Sequence, residues 1–151
     1  MILLDANIFL RALTQSTDPV IQHMNEAAAD LLRRAERGEV GVTTSDAVIA
    51  EVAFILTSKA HYQLAVGDAT DLIATLLRVR GLKLRDKRII LRALDLWAAK
   101  PKFGFVDALT ASYAQQPGIE LATFDRDFDD LPGITRWYPS MDVDTESGKL
   151  P

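Results

Sequence analysis

Cysteine is absent from the 151 residues, which removes disulfide bonds and thiolate metal sites together. Histidine is nearly absent: His23 and His61 lie far apart, so a zinc centre or a serine-histidine-acid triad lacks its parts, and there is no nucleophile elbow. The glycines form no phosphate-cradling run of the Walker or dinucleotide type. No apolar stretch reaches the roughly 18 residues that a bilayer crossing needs. The start MILLDANIFL has neither the basic flank nor the cleavage site of a secretory signal. A cytoplasmic location without membrane contact is expected. Basic excess is also lacking. Seventeen Lys and Arg stand against 21 Asp and Glu, a net charge of -4, so contact with phosphates must be local rather than the work of a global field.

What the chain does have is carboxylates in apolar company. Ile2, Leu3 and Leu4 run into Asp5 and Asn7 before Ile8, Phe9 and Leu10 resume. Three apolar residues without alternation suggest a strand covered on both faces, with Asp5 at its carboxyl end, where open α/β sheets place ligands. The simpler alternative is that Asp5 caps the following helix. Three more acids share the setting: Glu51, Asp107 and Asp125.

Length and composition, with 48% hydrophobic and 25% charged residues, fit one globular domain. Strand and helix patterns alternate along it. Short strands are expected at 2–4, 40–43, 82–84, 120–123 and 134–137. Asp18 and Pro19 make a cap and first-turn pair for a helix over 19–37, which Gly38 stops. A helix over 46–58 is apolar nearly all round and should be buried, with Glu51 its only interior charge. Helices follow at 66–78, closed by Gly81, then one capped by Asp86 that holds Ile89, Ile90, Ala93, Leu94 and Trp97, and one at 105–115. In the last, Val106, Leu109, Tyr113 and Ala114 form one face. Trp97 reads as core, Lys100 to Gly104 as a loop, and Asp107 as an acid less exposed than simple compensation of the helix dipole would leave it.

Carboxylates gathered from strand ends and helix starts make a hard-oxygen site suited to Mg²⁺ or Mn²⁺. Two such ions roughly 3.5 to 4 Å apart activate water and stabilise the leaving oxygen of a phosphodiester. Without metal the acids should repel one another and show raised pKa values.

MILLDANIFLRA, SDAVIAEVAFIL, FGFVDALTASYA and LATFDRDFDDLPGI resemble, in order and spacing, the four acidic motifs of PIN-domain ribonucleases, in particular VapC-type toxins of toxin-antitoxin pairs. The resemblance implies a three-layer α/β fold, a mostly parallel sheet of about five strands flanked by helices, spanning residues 1–140 before a polar tail at 141–151. It implies Asp5, Glu51, Asp107 and Asp125 as an acidic quartet around Mg²⁺ or Mn²⁺, Asn7 and Thr123 as supporting groups, and Asp127 as an alternate ligand. It also implies RNA as substrate, a small antitoxin as partner, and a homodimer. Arg11, Lys100, Lys102 and Arg126 are the candidates for phosphate contact. Two other readings stay open: a phosphotransfer enzyme with Asp5 as nucleophile, although Asn7 stands where a second acid would be wanted, and a module that binds RNA without turnover.

Overall fold

The computed structural model describes residues 1–137, so the tail expected at 141–151 lies outside the described residues. The chain begins with strand β1 (Ile2–Leu3), followed by helices α1 (Ala6–Leu13) and α2 (Pro19–Glu36). Strand β2 (Val42–Thr43) leads to α3 (Asp46–Thr57) and α4 (Val66–Leu77), and β3 (Leu82–Lys83) to α5 (Lys87–Ala99) and α6 (Phe105–Ala114). Strands β4 (Glu120–Leu121) and β5 (Thr135–Arg136) close the described part.

All pairings are parallel. Ile2 aligns with Val42, and Val42 with Leu82, giving a three-stranded sheet in the order β1-β2-β3; Glu120 aligns with Thr135 in a separate pair. The expected α/β architecture is therefore present, with its five strands divided between two sheets. Parallel neighbours need long crossovers, and here helices supply those of the three-stranded sheet.

Local chemistry sets the helix ends. The Asp18 carboxylate accepts from the Val20 and Ile21 amides at 2.9 and 3.3 Å, and Pro19 occupies the first turn, where its missing N–H costs nothing. At the other end Gly38 takes a φ of +78° while its amide donates to Ala35 and that of Glu39 to Arg34, a Schellman closure. Gly81 serves as a point of close approach: a Cβ there would lie 2.5 Å from the Ala35 carbonyl and 2.7 Å from that of Val40. The core runs through Leu4, Phe9, Val42, Ile73, Leu82 and Leu94, with Trp97 tilted against Phe105 at 5.6 Å.

Several expectations fail at the surface. Leu4 is buried, but Leu3 is 74% exposed and Ile2 is exposed too, because β1 has a sheet partner on one side only among the described residues. Helix α3 is not buried all round: Ala47, Glu51 and Phe54 form an exposed strip at helical spacing. On α6 the buried residues are Phe105, Ala108, Ala111, Ser112 and Ala114, while Val106 faces solvent. Asp86 makes no capping bond; it sits in the left-handed region at φ 53° and accepts a long hydrogen bond from the Tyr113 hydroxyl at 3.4 Å.

Candidate active site

Asp5 occupies the turn between β1 and α1. It has the extended backbone of a cap residue but makes no side-chain capping bond, so capping does not explain it. Its Oδ2 instead accepts from Asn7 Nδ2 at 3.1 Å, which orients the carboxylate and couples the two residues. Asn7 and Arg11, on the same helix, line a cavity of about 570 Å³ against Met24, Ala28 and Leu31 of α2.

Asp107 lies in the first turn of α6. The turn before it depends on Gly104, whose φ of +78° with ψ of 151° is open in practice only to glycine. A Cβ at that position would stand 3.4 Å from Asp107 Oδ2. Although Asp107 is exposed, contrary to expectation, its carboxyl is held above the ordinary Asp value by partial desolvation first, then by the charges of Asp125 and Asp127. The helix dipole acts in the opposite sense and does not prevail. Mutual repulsion among acids, expected for a site made to take a cation, is thus present at Asp107.

The third acidic element follows β4. Thr123 Oγ1 accepts from the Asp125 amide at 3.0 Å, and Asp125 Oδ1 accepts from the Asp127 amide at 2.9 Å, opening the 3-10 turn Arg126–Phe128. Arg136, which nothing in the sequence distinguishes from a solvated strand cation, reaches across from β5. Its Nη2 donates to the Thr123 carbonyl and its Nη1 to the Asp125 carbonyl, both at 2.9 Å, and Nη1 also pairs with Asp129 at 3.1 Å.

Glu51 stands on the exposed strip of α3 and forms no ion pair among the described residues, so the burial expected for this helix does not extend to its charge. Lys100 precedes the 3-10 turn Pro101–Phe103 and Lys102 lies within it, and both line a cavity of about 470 Å³ with Asp127 and Asp130. Arg126 extends into solvent and approaches Asp129 only at 3.9 Å.

Asp107, Asp125 and Asp127 therefore interact, and Asp5 is tied to Asn7, whereas nothing links Glu51 to the other acids. Among the described residues no three acidic or histidine side chains converge as an ion cage. The donor chemistry still suits a hard divalent ion: the groups are carboxylates, and among the described residues none of the salt bridges takes up Asp5, Glu51, Asp107 or Asp125.

A parallel α/β domain that carries acids beyond its strands and at its helix starts defines a class that the family comparison makes specific. The PIN domain model matches residues 2–134, and the chain belongs to that family. PIN domains are generally metal-dependent nucleases, acting on nucleic acids. Among curated proteins none matches the chain. Among the described residues no helix is long and apolar enough to cross a membrane.

Proposed function

We propose that this protein is an endoribonuclease dependent on Mg²⁺ or Mn²⁺, and the toxin of a VapC-type toxin-antitoxin pair. The observation that carries the nuclease reading is Asp107, in the first turn of α6, whose carboxyl is held above its ordinary value by desolvation and by the nearby charges of Asp125 and Asp127. Asp5, Asp107 and Asp125 would hold the ion, with Asp127 as an alternate. When bound, such an ion polarises the phosphodiester and lowers the pKa of water. Asn7 keeps the Asp5 carboxylate oriented, and Thr123 keeps the Asp125 backbone in place. Glu51, exposed on α3, is the group that accepts the proton of the attacking water as the phosphorus-oxygen bond to the leaving group breaks. Arg11, Lys100, Lys102 and Arg126 meet the phosphates on either side. In this reading the protein works in the cytoplasm as a homodimer and is silenced by a small antitoxin. Exposed Val20, Met24 and Phe54 on α2 and α3 offer apolar surface for those contacts.

A second reading is RNA binding without turnover, in which the exposed cations Lys100, Lys102 and Arg126 hold the strand and the acids do no chemistry. One assay separates them. Labelled RNA is incubated with the protein in Mn²⁺, in Mg²⁺ and in chelator, beside Asp5→Asn. Cleavage that needs metal and is lost in the variant supports the nuclease. RNA retained uncut in all lanes supports the binding module, and a variant as active as the parent removes Asp5 from the site. Co-expression with the adjacent reading frame, followed by purification on a tag carried by this chain alone, tests the partners: a monomer with no small companion counts against both.

A further inference from the structure

The segment that carries Asp125 is held on four sides. Arg136 clamps the Thr123 and Asp125 carbonyls, Thr123 Oγ1 takes the Asp125 amide, and Asp125 Oδ1 takes the Asp127 amide. Both clamped carbonyls bracket one residue, Phe124. Its backbone is thus fixed on either side while its ring is fully exposed and takes part in no ring contact among the described residues. Leaving an aromatic ring in water forfeits the burial energy of one of the largest apolar side chains. A guanidinium that fixes the backbone on both sides of the ring, directly beside the candidate ligand Asp125, indicates use rather than accident.

We propose that Phe124 is a stacking platform for a nucleobase of single-stranded RNA, holding one nucleotide beside the acids; the proposal rests on the nuclease reading above. A ring face stacks on any base, and only an unpaired strand can offer a base face to it. The charge balance makes such a contact valuable. With a net charge of -4 and acids at the site itself, phosphate attraction is confined to a few cations, so grip must come in part from contacts that do not depend on charge. A rigid backbone beneath the ring lowers the ordering cost of binding.

The test compares Phe124→Ala, Phe124→Leu and Phe124→Tyr with the parent, measuring kcat, KM and Tm on a labelled single-stranded oligoribonucleotide in Mn²⁺, and Kd by fluorescence anisotropy in chelator. Ala and Leu should raise KM and Kd by about 5- to 100-fold, the worth of one stacked base, with Tm unchanged, and Tyr should restore both. A pre-formed duplex should compete poorly. If Leu serves as well as Phe, the ring is a general apolar contact, as for a protein partner, and the platform is overturned. If Ala changes nothing while Asp125→Asn abolishes cleavage, the platform falls and the nuclease stands. Binding that depends on Phe124 in a parent that never cleaves has the opposite meaning: the platform stands and the nuclease falls. A parent that neither binds nor cleaves overturns both.

Discussion

Replacing Arg136 by Ala should damage stability and cleavage together, although Arg136 touches neither substrate nor metal in any reading offered above. The side chain is 16% exposed, and it donates to two carbonyls at 2.9 Å and pairs with Asp129 at 3.1 Å. A hydrogen bond from a charged donor contributes about 1.5 to 3 kcal/mol, and an ion pair to an exposed acid about 0.2 to 1 kcal/mol. Asp125 and Asp129 are open to water, which replaces part of what is lost, so the net loss falls below the sum of these contributions, at about 2 to 3 kcal/mol. At about 2 to 4 °C per kcal/mol for a chain of this size, Tm should fall by about 4 to 12 °C. Cleavage should fall further than unfolding explains, by about 100-fold, because displacing a catalytic group by about 1 Å has that consequence. Arg136→Lys keeps the charge but loses the fork that spans two carbonyls, so it should fall between parent and Ala. Thermal unfolding by circular dichroism and initial cleavage rates at a temperature where all three are folded provide the measurements. If Arg136→Ala melts with the parent and cleaves at its rate, the clamp has no energetic meaning, and the support it lends to Phe124 and Asp125 is refuted.

Asp107→Asn should raise the Tm of the metal-free protein at neutral pH. A carboxyl whose native pKa lies above its unfolded value loses stability as pH rises from about 3.8 through the native value, so the gain should vanish once the pH is below 3.8, and a gain that persists there would falsify the electrostatic account. Mn²⁺ at 1 mM should raise Tm by about 3 to 6 °C if it binds with a Kd near 0.1 mM, a gain of about 1.4 kcal/mol; a melt that does not respond, or that responds equally in Asp125→Asn, counts against a carboxylate site. Gly104→Ala should cost about 1 to 3 kcal/mol through its backbone conformation and slow cleavage by crowding Asp107, and normal kinetics in this variant would show that the carboxylate tolerates displacement. Asp18→Ala, whose carboxylate bonds only to amides of its own helix, should lose about 1 kcal/mol of stability with cleavage intact; loss of activity there would mean that the assay reports folding rather than chemistry.

Helix boundaries were the most legible part because their determinants lie within a few residues of each other. Asp18, Pro19 and Gly38 specify the ends of α2 with groups that act on their own backbone. Burial was less legible, since it depends on what arrives from elsewhere. The run of Ile2, Leu3 and Leu4 reads as a doubly covered strand, yet only Leu4 is covered. In α3 the charge itself marked the outcome: Glu51 sits four residues after Ala47 and three before Phe54, so one exposed carboxylate exposes all three. The left-handed Asp86 and the reach of Arg136 could not be read, because the first is a conformation imposed by the turn and the second a contact across 11 to 13 residues.

Apolar neighbours in sequence led to the expectation that the acids would be buried, and their exposure changes what those neighbours are for. Asp5 lies between Leu4 and Ala6, both buried; Glu51 precedes buried Val52; Asp107 precedes buried Ala108. Each backbone is anchored in the core through an adjoining residue while the carboxylate stays at the rim, which gives position without the full cost of desolvating a charge. Asp125 is the exception. Its neighbours Phe124 and Arg126 are both exposed, so no adjoining side chain roots it in the core. Position has to come from hydrogen bonds instead, and Arg136, Thr123 and the Asp127 amide supply them. The half-buried guanidinium does for Asp125 what Leu4 and Ala6 do for Asp5, and in doing so it leaves the ring of Phe124 free to meet a base.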